Sequence, residues 1–196
     1  MKIRFSETLC LAGIVGLLGL AGTLLAQDTS SQQGSSTPKV DTGARKMMKS
    51  PDTAFAIKAG QGGLAEVKLG QLASEKASNP DVKAFGQQMV DDHTKANDQL
   101  KSVAQSENMT LPADVNAKQQ MMYDKLSKLS GAGFDKEYVK GMVKDHEEDV
   151  KEFQKETTNG KDPQMKSFAS QTLPVLQSHL EKIKGIQSKM GTSGSM

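Results

Sequence analysis

Metal or proton chemistry in this chain of 196 residues falls to three histidines and one glutamate. Met89-Val90-Asp91-Asp92-His93 returns as Met142-Val143-Lys144-Asp145-His146, and the third histidine, His179, sits in another segment of the same kind. Each lies on the apolar stripe of a predicted helix, near its middle, and Glu66 takes the equivalent place on a fourth helix. Three imidazoles with one carboxylate make a donor set for Zn, Cu, Ni or Fe, and the spacing does not select among them. The same four side chains could instead hydrogen-bond one another in a layer that only fixes helix register. A buried polar group without a partner costs about 1–3 kcal/mol, so the four are expected to satisfy each other or an ion. Both readings stay open at the level of sequence.

The neighbours of these histidines carry two alternatives each. Met89 and Met142 stand four residues before a histidine on the same face, as thioether donors for Cu(I) or as core filler. Asp92 and Asp145 precede their histidines and point about 100° away, so they either support the ligands from behind or are solvated charges beside Lys95 and Lys144. No other constellation appears: there is no Gly-rich phosphate loop, nucleophile elbow or His-Glu-x-x-His run. The single cysteine, Cys10, lies in the N-terminal apolar stretch, which leaves no disulfide or thiolate site downstream. No catalytic residues and no organic cofactor are assigned, and the chain is expected not to be an enzyme.

Four long helices must position the layer. Helix 1 is predicted from about Pro51-Asp52, with Asp52 as cap, to near Ser78, with the stripe Phe55, Ala59, Gly62, Glu66, Leu69 and Ala73. Gly60, Gly62 and Gly63 mark an expected close approach of a neighbour. Helix 2 runs from about Pro80, capped by Asn79, to Ser106 along Val82, Phe85, Met89, His93, Ala96, Leu100 and Val103. A shorter segment at about 113–129 lengthens the next connection, and Ser130-Gly131-Ala132-Gly133 breaks it. Helix 3 spans about Phe134 to Thr158 along Val139, Val143, His146, Val150 and Phe153, with Asn159-Gly160 as a C-cap pair. Helix 4 spans about Asp162 to Met190 along Met165, Phe168, Thr172, Val175, His179, Ile183 and Ile186, with Asp162 as cap and Pro174 expected to bend it. At 1.5 Å per residue, offsets of about 12–16 residues from each start bring Glu66, His93, His146 and His179 within about one turn of a common level. The fold expected is an all-α antiparallel four-helix bundle, which builds such sites from facing helices.

The ends of the chain read differently. Residues 1–26 have a short basic start, Lys2 and Arg4, then an apolar run and Leu24-Leu25-Ala26, the pattern of an export signal. An uncleaved anchor is the alternative, and it is the sole membrane contact the sequence suggests. Residues 27–50 are a Ser/Gln/Thr-rich linker expected to be disordered, 51–190 the helical domain, and 191–196 a frayed tail. Without Lys2, Arg4 and Glu7, 23 basic groups face 22 acidic ones, so charge gives no case for nucleic acid.

Gly62-Gly63-Leu64-Ala65-Glu66-Val67, Ala84-Phe85-Gly86-Gln87-Gln88-Met89-Val90-Asp91-Asp92-His93, Leu129-Ser130-Gly131-Ala132-Gly133-Phe134-Asp135 and Leu173-Pro174-Val175-Leu176-Gln177-Ser178-His179-Leu180 carry a resemblance to the domain-of-unknown-function family 4142. The resemblance covers about 52–190 and implies a ferritin-like four-helix fold in an exported protein of the periplasm or cell envelope; the long helical connection between helices 2 and 3 is read from the 113–129 segment itself. It brings no settled activity. Di-iron members of the wider ferritin-like group carry Glu three residues before each metal-binding His. Here Val90, Val143 and Leu176 occupy those places, so a carboxylate-rich di-iron centre is not expected. Three functions follow as alternatives: a metal-binding protein for buffering or envelope stress tolerance on Glu66, His93, His146 and His179; a non-catalytic envelope module with a structural polar layer and a protein partner that the sequence does not name; and, least supported, a redox enzyme.

Overall fold

The computed structural model describes residues 50–193, and the readings for the leader and for 27–49 lie outside the described residues. Five helices follow in order: α1 (Pro51–Lys76), α2 (Pro80–Ser106), α3 (Ala117–Ser127), α4 (Gly131–Asn159) and α5 (Pro163–Ser193). The starts of four of the five are met by side chains that accept from the free N–H groups of a first turn, and α4 has no such cap. Asn79 accepts from Asp81 N and Val82 N at α2, Asp162 accepts from Met165 N at 2.7 Å at α5, and Asn116 with Gln119 forms a capping box at α3.

Four boundary expectations need correction. Ser50, assigned to the linker, is the cap of α1, with its hydroxyl accepting from Thr53 N at 3.0 Å. Asp52 is buried and instead accepts from the backbone N–H groups of Lys161 at 2.6 Å and Asp162 at 3.2 Å. α4 starts at Gly131 rather than Phe134, and α5 runs on to Ser193, past the tail boundary. Gly160 does follow α4, but at φ −53, so no left-handed C-cap forms. A Cβ there would stand 2.6 Å from Glu156 Oε1, and that crowding is what requires glycine.

The contacts at helix ends fix the topology. Asp52 at the start of α1 meets the α4–α5 turn, while Ser78 and Asn79 at its end meet Asp135 in the first turn of α4. Lys189 near the end of α5 pairs with Asp81 at the start of α2, and Ser106 at the end of α2 reaches Gln164 at the start of α5. α1 and α4 are therefore antiparallel, as are α2 and α5. Two hairpins, α1–α2 and α4–α5, associate through α1–α4 and α2–α5 in an up-down-down-up bundle of the ferritin-like kind. The crossover that joins them climbs the outside of α1. Leu111 touches the Gly60 position, Lys68 pairs with Asp114 at 2.6 Å, and Lys76 Nζ donates to Ser127 O at 2.7 Å. Only 117–127 of the expected 113–129 segment is helical.

The interior divides into two apolar blocks. One holds Leu69, Leu72, Val82, Phe85, Met89, Leu126, Phe134, Tyr138, Val139, Met142, Ile183 and Ile186; the other holds Phe55, Leu100, Phe153, Met165, Phe168 and Leu176. Each long helix passes from one block to the other through one member of the polar layer. Burying a large side chain of these blocks is worth roughly 1.5–3 kcal/mol, so the blocks hold the layer in place. The tightest approach of α1 and α2 is at Gly70 and Gly86, where a Cβ on Gly70 would lie 2.5 Å from Gly86 O. Of the glycines expected to mark that approach, Gly63 faces the side chain of Asn97, whereas Gly60 and Gly62 have ordinary space. In α5, Leu176 rather than Val175 faces inward, and Val175 is 40% exposed. Among the described residues no helix is long and apolar enough to cross a membrane.

Candidate metal centre

The three predicted histidines form one cluster, and Glu66 touches two of them, His93 and His146, without joining the group of three. Glu66 on α1, His93 on α2, His146 on α4 and His179 on α5 are all at most 5% exposed. The imidazole centroids are 5.9 Å apart for His93–His146 and 5.5 Å for the other two pairs. Phe85 forms the apolar floor, 6.0 Å from the His146 ring and 6.2 Å from the His179 ring.

Each imidazole has one nitrogen occupied and one free. His146 Nδ1 lies 3.0 Å from Met142 O, and a carbonyl only accepts, so Nδ1 carries the hydrogen and Nε2 is a lone pair. His179 Nε2 donates to Asp92 Oδ2 at 3.0 Å, which leaves Nδ1 bare. His93 Nδ1 lies 2.9 Å from Glu66 Oε2, a hydrogen bond either group can donate, and its Nε2 has no partner. Those three nitrogens are buried without a hydrogen-bond partner, and so is Glu66 Oε1. One nitrogen from each histidine falls in a group within 4.8 Å of one another.

Burial sets the charge state. Desolvation lowers His93 to about 4 despite Asp92 and Asp145, and lowers His146 to about 3 with help from the other two rings. His179 is also lowered, first by burial, with Asp92 opposing. The rings are therefore neutral at pH 7 and their lone pairs are free for a cation. Glu66 moves the other way: burial, with the charge of Asp145, holds it well above the usual carboxylate range. The 2.9 Å and 3.4 Å contacts of Glu66 with His93 and His146 are consequently not ion pairs between opposite charges at neutral pH.

The geometry fits a small transition-metal ion. Ligands about 2.0–2.1 Å from one tetrahedral ion stand about 3.4 Å apart. Glu66 Oε1 and His146 Nε2 are 3.4 Å apart. The imidazole nitrogens need to close by no more than about 1.4 Å from their 4.8 Å limit to reach that spacing. Each histidine already has the second nitrogen anchored, as bound histidines generally do.

Comparison with known proteins places the chain. The family profile described as "Domain of unknown function (DUF4142)" matches residues 37–186. The chain belongs to the DUF4142 family. No curated protein gives a significant match to the DUF4142 chain. Solved structures share its fold. A DUF305 fragment from Deinococcus radiodurans superposes with a TM-score of 0.62 at 12% identity, covering 71% of this chain and 96% of that one. A putative secreted DUF305 protein from Streptomyces coelicolor gives 0.63 at 12%, with 74% and 94% covered. CopM in its Cu(II)-bound form gives 0.61 at 19%, with 70% and 96% covered, and CopM is also solved with Cu(I) and with silver. At these identities the likeness concerns the fold.

Two supporting residues of the DUF4142 site differ from the sequence reading. Asp92, half-buried, does support a histidine, but it is His179 across the α2–α5 seam rather than its neighbour His93. Asp145 joins Glu66 and Asp149 in a second group of converging carboxylates, and Asp149 was not singled out by the sequence. Met89 and Met142 are fully buried in the first apolar block. Tyr138, in the same block, buries its hydroxyl without a partner, and burial together with Glu66 pushes its ionisation upward.

Proposed function

We propose that this domain is an exported, non-catalytic protein that binds one transition-metal ion on His93, His146 and His179, with Glu66 as fourth donor, for metal buffering or envelope stress tolerance. The observation that carries the reading is the convergence of three buried, neutral imidazoles, each with one nitrogen held by a neighbour and the other without a partner. A purely structural layer would leave those nitrogens unsatisfied, at about 1–3 kcal/mol each. Copper is the first candidate: imidazole suits it, and CopM, which shares the fold, is solved with copper bound. Zinc is the second. Export rests on the basic and apolar pattern of residues 1–26 and on the secreted neighbour from Streptomyces coelicolor.

The test is elemental analysis of the chain purified without a histidine tag or chelator, with thermal melts in added Cu and Zn. About one ion per chain is expected, with a melting temperature raised by about 8 °C at 100-fold excess over Kd. His146→Ala removes both. A metal-free chain whose melt ignores every ion would sink the reading.

A further inference from the structure

Two cavities lie beside the layer, one beneath the crossover and one within the bundle. The outer one, about 420 Å³, lies among α1, α3 and α4, and Asp145, Glu148 and Asp149 line it. The inner one, about 20 Å³, is walled by Glu66, His93, Asn97 and Asp149 among apolar side chains. Asp149 borders both. It shares a face of α4 with Asp145, one turn earlier. One oxygen of each aspartate lies within 4.8 Å of an oxygen of Glu66.

Lys118 and Lys144 act on Asp145 only at a distance, without a contact. Among the described residues neither Asp145 nor Asp149 has an ion pair or a hydrogen bond, although Lys118, Lys144 and Lys151 are close in space or sequence. Glu66 is fully buried with Oε1 unpartnered, and the buried ring of His93, with Nε2 unpartnered, lines the same inner cavity. Gly62 leaves room beside Asp149, since even a Cβ there would stay 3.9 Å from Oδ1.

We propose that Glu66, Asp145 and Asp149 form a second cation site, distinct from the imidazole trio and sharing Glu66 with it. Its donors are all carboxylate oxygens, the set that suits Mn²⁺, Mg²⁺ or Ca²⁺ rather than Cu(I). The inner cavity holds one water-sized sphere and the outer one admits the waters that complete the coordination of a hard ion. A divalent ion here sits between three acids that otherwise face one another at short range in a low-dielectric setting. Asp145 and Asp149 belong to this site alone, so it is tested through them and not through the shared Glu66.

The probe is Mn²⁺, titrated into the full metal-free chain and followed by loss of the free-ion electron paramagnetic resonance signal. One Mn²⁺ per chain is expected, with Kd raised at least tenfold in the double variant Asp145→Asn/Asp149→Asn. Glu147→Gln, on the exposed side of α4, should bind as the wild type. Copper content is measured on the same samples, and the double variant should keep the wild-type value, which separates this site from the imidazole one. Wild-type chain that takes up no Mn²⁺ at millimolar concentration overturns the proposal, as does a folded double variant that binds like the wild type. Asp149→Asn alone serves if the double variant does not fold.

Discussion

Two nearly buried carboxylates, Asp135 and Glu66, have been treated in opposite ways by the fold. Asp135, 2% exposed, receives hydrogen bonds from Ser78 N, Ser78 Oγ and Asn79 N. Glu66, 1% exposed, meets imidazole nitrogens and leaves one oxygen unpartnered. Both lie where α1 faces α4. The first joins the end of one helix to the start of another, and every donor it needs is supplied by the chain. The second faces a space that only a proton or a cation completes. Complete satisfaction marks a carboxylate that holds structure; incomplete satisfaction, at a place flanked by apolar blocks, marks one kept for a ligand.

The contrast is sharpest under mutation. Asp135→Ala removes the buried acceptor of two backbone N–H groups in a half-exposed turn and is expected to cost about 1–3 kcal/mol, lowering the melting temperature by about 4–10 °C. Its copper content, once folded, should be normal. A loss below about 1 kcal/mol in urea melts would erase the distinction. Glu66→Gln should show the reverse, with less than about 1 kcal/mol lost in the metal-free chain and a metal affinity 10–100-fold lower. Competition with a chromophoric chelator reads this directly. Asp92→Ala removes the acceptor that orients His179 and should weaken the metal about tenfold, with a changed His179 nitrogen shift in NMR.

The smallest effect belongs to a third buried acid. Glu156, pressed by burial and then by Asp52, is raised to about 7, while Asp52 stays low because Lys161 N and Asp162 N outweigh its own burial. A raised folded value means the folded chain binds more protons than the unfolded one between about 4.5 and 7. Stability therefore falls as pH rises through that window. Solvent enters beside Glu156 through a cavity of about 130 Å³ and screens the charge, so about 1 kcal/mol is expected. Denaturant melts from pH 4.5 to 7.5 should show this decline, and Glu156→Gln should flatten it.

Much of this was legible in one dimension, because the property in question repeats along the helix. The stripes through His93, His146 and His179, and Glu66 at the matching level, follow from spacing alone. So do the caps Asn79 and Asp162, whose short acceptors precede Pro. What escaped depends on rotation between helices. Asp92 was placed correctly relative to His93, yet its partner is on α5, and no spacing within α2 reports that. Asp149 lies in Lys144-Asp145-His146-Glu147-Glu148-Asp149-Val150-Lys151-Glu152, a run that reads as a solvated face until the crossover covers it. Asp52 looked like a cap because caps are local, whereas its true donors are more than a hundred residues away. Ser50 was lost in a polar segment whose composition hides a single capping hydroxyl.

The up-down-down-up connectivity has a kinetic side. Glu66, His93 and Asp92 belong to one hairpin, His146 and His179 to the other, and contact between the hairpins is less extensive than within either. An ion on these residues would act as a rivet across that seam. Hairpin separation would then have to wait for metal release, so loading would slow unfolding more than it speeds folding. Amide exchange along α2 and α5 would become a clock for occupancy, even where the folded shape does not change.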